Sequence, residues 1–307
     1  MKTKRLTLII VLIAIFIVCF QSMNNRYNPL ARYSYNSQLT MQEREQIIEH
    51  MSKEDIDYMI QAKLKPEQVL KYINVEGFKV KNTLYYEKCH ELQPTDTKYI
   101  VDFVNAYRKK FSYKKMDALL SSYSYITLAE FYNGAYTYKK DATLITDPQK
   151  MHTMIKANHT IYKYVPKGLV TIDNSIIPIA SRLSTETLQV KEEVVEPLKM
   201  MCAALAKTNN LTCGGLILTT AYTSYTDQIK LYEQALVRYG ADLVGSYEDC
   251  PGQSEQQLGY TLKFTIAGKN EEEIKKCEQV KWLEEHAQEY GFIIRYPKNE
   301  EGKTGKI

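Results

Sequence analysis

Leu6–Phe20 is an apolar run broken only by Thr7, and Lys2, Lys4 and Arg5 precede it with no acid in the first 23 residues. A basic stretch followed by an apolar one is an export signal. Continued to Met23, a helix starting at Leu6 is about 27 Å long at about 1.5 Å per residue, at the short end of what spans a bilayer. No small-x-small cleavage site follows it. Cys19 follows Ile17-Val18, not the small residue that a lipid-attachment site requires. We therefore expect residues 1–23 to be an uncleaved, single-pass transmembrane helix with its basic end in the cytoplasm. A cleaved signal peptide is the alternative. Either way, the chain from about residue 25 onward is extracytoplasmic.

The rest is close to neutral, because three positive charges of a net +4 lie in the segment just described. That leaves no electrostatic footprint for nucleic acid. Of the exported cysteines, Cys89, Cys202, Cys213, Cys250 and Cys277, none falls in a CxxC or CxxH pair, so they do not read as a structural zinc site. An oxidising compartment allows one or two disulfides with an odd thiol over, and five free thiols fit the sequence as well. Tyrosine is over-used, 25 against 8 Phe and one Trp. Its ring can be buried while its hydroxyl stays wet, which suits grooves and half-wet surfaces.

Residues 24–40 are rich in Asn, Ser, Tyr and Pro without apolar period, and read as a tether. Helical signals follow. Met41–Met51 is short. Ser52 is an N-cap with Glu54 and Asp55 in the first turn and Ile56, Met59 and Ile60 on one face. Pro66 opens a helix with Val69, Leu70 and Ile73 inward. Gly77–Val80 reads as a short strand, and Thr95 or Asp96 caps a helix bearing Ile100, Val101, Val104 and Tyr107. Residues 41–150 thus form a small, mainly helical module. From residue 164 onward strands and helices mix without a βαβ rhythm. We read a helix over 194–207 with Pro197 at its start, strands at Leu216–Tyr222 and Tyr260–Ile266, a helix over Ile274–Tyr290, and a last strand at Phe292–Tyr296. The fold class is α+β, an antiparallel sheet packed with helices.

Four blocks carry more information: TAYTSYTDQIKLY (220–232), PGQSEQQLGYTLKF (251–264), KWLEEHAQEYGFIIRYP (281–297) and KTG (303–305). In this order and spacing they resemble the VanY-type zinc D,D-carboxypeptidases, over residues 164–307. The resemblance implies a D,D-carboxypeptidase/hedgehog-like domain. In that family a Ser-x-His-x-x-Gly-x-Ala-x-Asp segment supplies two zinc ligands. A later segment supplies the third ligand and a general base. An Arg, with a Gln five residues on and the motif Ser, holds the substrate's terminal carboxylate.

Carried over position by position, the pattern fails at its chemistry. The first ligand position is Gln256, whose neutral amide is a poor zinc ligand. The second is Lys263, whose ammonium has no lone pair. The carboxylate-binding Arg is Thr223. The third ligand and the base are expected beyond Lys303-Thr304-Gly305. Since the sequence runs to Ile307, we expect both to be missing and the domain to be C-terminally truncated. Ser254 and Gln228 remain as substrate-cleft candidates, with Tyr222 and Ser224 beside them. Glu255 is a candidate ion-pair partner for Lys263 in the vacated cavity. The histidines, His50, His90, His152, His159 and His286, have no HxxH, HxxxH or HExxH spacing.

The resemblance implies a cell-wall protein at the membrane that has lost zinc, is catalytically inactive, and binds peptidoglycan stem peptides or a protein partner. Two alternatives differ in class. One is an active zinc D,D-carboxypeptidase trimming stem peptides. The other is a scaffold acting through the helical module, with the tyrosines of 113–138 as its surface.

Overall fold

Capping residues set where the helices of the first half begin. The computed structural model describes residues 2–152, 155, 158–180 and 187–295, and in its first helix the side chains of residues 9–23. Compactness divides the chain at Leu120/Ser121.

The first unit opens with α1 (Lys2–Tyr27). Its described side chains include Ile9, Leu12, Phe16 and Phe20, all exposed. Among the described residues no helix is long and apolar enough to cross a membrane. The segment expected as a tether behaves otherwise after α1. Leu30, Tyr33 and Leu39 are buried with Ile47, Met59, Leu64 and Val69 in one apolar cluster, and Tyr33 Oη donates to the Leu64 carbonyl at 2.7 Å.

In α2 (Met41–His50), Thr40 and Glu43 form a capping box. Ser52 caps α3 (Lys53–Gln61), accepting from the Asp55 N–H at 3.2 Å. Pro66 starts α4 (Pro66–Leu70). Gly77–Val80 is not a strand. Gly77 has φ +82°, and the chain turns through a short 3₁₀ segment, Val80–Asn82, into α5 (Thr83–Leu92). Asp96, not Thr95, caps α6 (Thr97–Tyr107) by accepting from two backbone N–H groups. Ile100, Val101 and Val104 are buried. α7 (Met116–Ser122) runs across the boundary between the units.

The second unit begins with α8 (Tyr125–Tyr132), capped by Ser124. Residues 121–150, grouped by sequence with the helical module, pack within this unit. Among the described residues its strands form three two-stranded sheets rather than one antiparallel sheet. β1 (Thr143–Leu144) pairs in parallel with β2 (His159–Thr160). β3 (Leu169–Thr171) pairs antiparallel with β4 (Gln189–Lys191). β5 (Leu216–Thr220) pairs antiparallel with β6 (Lys263–Ile266) through an irregularity between Leu218 and Thr220, and Ile179 bridges to Leu218 on the other edge. The irregularity shortens the ladder.

Between β4 and β5 lies α9 (Glu192–Asn209). Val194, Leu198, Met201, Cys202 and Leu205 recur at helical spacing and form its buried face. Pro197 lies inside this helix rather than at its start. Asn210, in the left-handed region, ends it. The chain then returns over the helix so closely that a Cβ on Gly214 would sit 2.4 Å from Leu205 Cγ. A Cys202–Cys213 disulfide closes this return. α10 (Tyr225–Tyr239) and α11 (Val244–Tyr247) follow β5.

The helix expected over Ile274–Tyr290 is broken. α12 (Glu271–Ile274) stops short, Cys277 takes extended angles, α13 (Glu278–His286) begins after it, and a 3₁₀ turn runs to Tyr290. Gly291, at φ +82°, ends it as expected. Residues 292–295 form no strand, and Tyr296 lies outside the described residues.

The disulfide closes a short loop, with a sequence separation of 11. Closing a loop of that size removes roughly 2–3 kcal/mol of unfolded-state entropy. Urea unfolding followed with and without reductant should show a loss of about that size. An unchanged midpoint on full reduction refutes the assignment of stability to this bridge.

Candidate functional site

β5 leads through Ala221-Tyr222-Thr223-Ser224 into α10, and this turn carries the first motif. Ser224 is spent on the helix. It accepts from the Asp227 N–H at 3.1 Å and donates to Asp227 Oδ2 at 2.6 Å. Tyr222 N–H donates to the Gln189 carbonyl at 2.8 Å, tying the turn to β4. Thr223 is only 1% exposed, pointed inward because the next residue is locked as a cap.

The second motif is the loop 251–259, folded back against residues 159–164. Gly252 has φ +77°, and a Cβ there would lie 2.5 Å from Thr160 Oγ1. The Gly252 carbonyl accepts from Ile161 N–H at 2.8 Å and Thr160 Oγ1 at 3.0 Å. Tyr136 Oη donates to the Pro251 carbonyl at 3.0 Å. Gln257 is fully buried, and its amide donates to the Ile161 and Tyr164 carbonyls at 3.0 and 2.9 Å. Ser254, also fully buried, caps the 3₁₀ turn Glu255–Leu258.

These two segments meet at Thr223 and Gln256. Thr223 N–H donates to the Gln256 carbonyl at 3.3 Å, and Thr223 Oγ1 donates to Gln256 Oε1 at 3.0 Å. The residue at the first ligand position and the residue at the carboxylate-binding position are therefore hydrogen-bonded to each other. Gln228, fully buried on α10, donates to Glu248 Oε1 at 3.1 Å and to the Asp249 carbonyl at 2.8 Å. Its own Oε1 is buried without a hydrogen-bond partner among the described residues.

Lys263 opens β6, opposite Thr220, three residues before Thr223. It is exposed and makes no ion pair among the described residues. The expected Lys263–Glu255 pair does not form. Arg295 takes Glu255 instead, Nε and Nη2 bonding the two carboxylate oxygens at 2.9 and 3.0 Å. A planar guanidinium matches both oxygens where an ammonium matches one. Forty residues separate the two, and nothing local in the sequence announces the pair.

Among the described residues the donor set at these positions does not fit zinc. The Gln256 amide oxygen already accepts from Thr223, and Lys263 offers an ammonium. Among the described residues no group of three His, Cys, Asp or Glu could hold a metal ion. Lys303-Thr304-Gly305 and Pro297 lie outside the described residues.

Tyrosines surround the loop. Tyr136, Tyr162 and Tyr225 pack edge to face, with Phe131 against Tyr136 and Tyr162. The tyrosines of 113–138, offered as a binding surface, divide between core and surface, with Tyr132 and Tyr138 half-buried. Tyr123, Tyr125 and Tyr136 are buried, and Tyr113 is exposed. Burial pushes the hydroxyls of Tyr132, Tyr164 and Tyr222 up from 10.0 to about 12, and those of Tyr136 and Tyr225 still higher. Burial also raises the Cys250 thiol.

A raised tyrosine favours the protonated, folded form. That stability is whole below about pH 10 and is lost as pH climbs through about 12. Tyrosinate absorbance and circular dichroism followed together should show ionisation and loss of tertiary signal in one alkaline transition. Ionisation of every tyrosine near pH 10.0 with the fold intact refutes this. Gln257→Leu should cost about 1–3 kcal/mol, because it strands the Tyr164 carbonyl, while the Ile161 carbonyl keeps the Tyr164 N–H at 2.9 Å. Urea unfolding reads that cost, and a loss below about 1 kcal/mol is the refuting result.

Residues 187–306 match the family model described as VanY, D-alanyl-D-alanine carboxypeptidase. A Bacillus subtilis protein provisionally named carboxypeptidase YodJ is 25% identical over 164 residues, covering 52% of this chain and 58% of that protein. A D-alanyl-D-alanine carboxypeptidase of Enterococcus faecium is 29% identical over 100 residues, 32% of this chain and 29% of that enzyme. The chain thus spans less than two thirds of the length of either curated relative. Among solved structures, the LdcB LD-carboxypeptidase aligns with a TM-score of 0.45 at 24% identity, covering 54% of this chain and 76% of that one. VanYB in complex with D-alanine-D-alanine aligns at 0.39 and 19%, covering 50% and 80%. Over its C-terminal part, residues 187–306, this chain is similar to VanY-type proteins of the peptidase M15 group.

Proposed function

We propose that this chain is a membrane-anchored, extracytoplasmic protein whose VanY-type domain is catalytically inactive and binds peptidoglycan stem peptides. The hydrogen bond between Thr223 Oγ1 and Gln256 Oε1 carries the reading. A site that activates water for peptide hydrolysis needs open metal coordination or a free base near the scissile bond. Here the two positions from which that chemistry would start satisfy each other.

Lys263 projects from the start of β6 without an ion pair among the described residues, and a D-Ala-ended peptide brings a terminal carboxylate. In this reading Lys263 receives that carboxylate in place of the guanidinium that Thr223 lacks. Tyr222, half-buried two residues beyond the Thr220 that Lys263 pairs with, supplies an aromatic wall in this reading. The curated Enterococcus faecium relative bears the name of an enzyme for D-Ala-D-Ala ends, which supports this class of ligand.

Placement outside the cytoplasm is supported by the basic-then-apolar N terminus and by the Cys202–Cys213 disulfide. Protease added to intact cells should cleave residues beyond about 25, and the N terminus should stay with the membrane fraction. Full protection from protease refutes that placement.

The purified protein, equilibrated with zinc and desalted, should hold less than about a tenth of an equivalent. It should bind a D-Ala-D-Ala-ended muropeptide by calorimetry without releasing D-Ala, and Lys263→Glu should weaken binding about tenfold or more. A full equivalent of zinc with D-Ala release would establish the active enzyme instead. A folded protein that binds no muropeptide at millimolar concentration would end the peptide-binding reading.

A further inference from the structure

The first unit contains a second feature, independent of the peptidase-like domain. A cavity of about 410 Å³ opens between the 3₁₀ segment Val80–Asn82 and the C-terminal end of α6. That size falls in the range of ligand pockets. Met51, Phe78 and Val80 contribute apolar lining. Lys79, Lys81, Arg108 and Lys109 also line it, all four exposed, and Asp55 is the one acid there.

The charges are uncompensated. None of the four cations makes an ion pair among the described residues. Asp55 already accepts from Ser52 Oγ at 2.9 Å. The α6 C terminus offsets part of the charge of Arg108 and Lys109, but Lys79 and Lys81 have no such neighbour. The two cationic segments are also fixed to each other. Asn82 Nδ2 donates to Asn105 Oδ1 at 2.9 Å, and Asn105 Nδ2 donates to the Gly77 carbonyl at 2.7 Å. Arg108 lies over the Tyr85 ring at 4.8 Å, which holds the guanidinium plane and leaves its N–H edge available. The cations are thus brought together before any ligand arrives, so a ligand does not meet the cost of ordering the scaffold.

We propose that this cavity binds a linear phosphate-bearing anion, such as a segment of a phosphodiester chain. Two cation pairs on separate segments suit a ligand with charges at intervals better than a single carboxylate. The guanidinium fork and the lysine ammonium groups are the usual partners of phosphate oxygens. A concave lining with an apolar part favours an inserted chain over a flat membrane surface.

The test uses the full-length protein and sodium tripolyphosphate, titrated calorimetrically at low and at physiological salt. Binding should occur and weaken with salt. Lys79→Glu with Lys81→Glu should weaken it about tenfold or more. Lys65→Glu, at an exposed position outside the lining, should leave it unchanged. Arg108→Gln is the second variant, to be used if the double reversal does not fold, and it should also weaken binding. No binding of tripolyphosphate at millimolar concentration overturns the proposal. So does equal binding by all variants, or equal weakening by Lys65→Glu. Vesicles of phosphatidylglycerol, against phosphatidylcholine, give the remaining arm. Binding to the anionic vesicles that tripolyphosphate does not displace, lost in the lysine double variant, would assign the cations to a membrane surface and overturn the cavity site.

Discussion

The Gln257 amide, fully buried between the Ile161 and Tyr164 carbonyls, is the contact on which the second unit's geometry rests. A buried carbonyl left unpaired costs about as much as a lost hydrogen bond, so the two carbonyls and the amide fix each other. With Gln257 in place, Gly252 reaches Thr160 and Ile161, and Gly259 reaches the Lys191 N–H at 2.9 Å. The loop 251–259 is therefore pinned at both ends to neighbouring strands. Gln256 and Ser254 go where that pinning sends them.

That rigidity has a consequence for chemistry. A scaffold held by backbone carbonyls does not depend on a metal at its centre. The positions that would hold zinc in a VanY-type enzyme can change, and the loop still closes because its hydrogen bonds come from Gln257, Gly252 and Thr160. At those positions the Thr223 hydroxyl donates to the Gln256 amide oxygen. Glu255 is held by Arg295. Scaffold and catalytic residues lie side by side in one short loop but have separate physical supports.

The tyrosines belong to the same account. Phenol rings fill the space around the loop, and a hydroxyl such as that of Tyr136 satisfies a backbone carbonyl that an all-aliphatic core would leave bare. The abundance of tyrosine that suggested a wet surface in the sequence is, over residues 123–136, largely a way to bury rings beside a polar loop.

Local signals determined much by themselves. Thr40, Ser52 and Asp96 start helices because their side chains satisfy N–H groups a few residues away, and that chemistry needs no tertiary partner. Leu216–Tyr222 reads as a strand and Leu216–Thr220 forms one, and that Gln256 offers only a neutral amide and Lys263 an ammonium is visible from residue type alone. Other features depended on partners distant in sequence. Leu30, Tyr33 and Leu39 sit in a polar, aperiodic stretch, and only the cluster around Ile47 and Met59 makes them core. Gly77–Val80 has strand-like residues but no strand beside it to pair with. The disulfide was one choice among several until α9 and the return at Gly214 brought Cys202 to Cys213. Arg295 and Glu255, like Thr223 and Gln256, meet only because separate elements are packed together. Sequence fixes which groups a chain can offer; which of them are satisfied by each other is decided by tertiary packing, since a hydrogen bond or ion pair depends on distances that residue order does not contain.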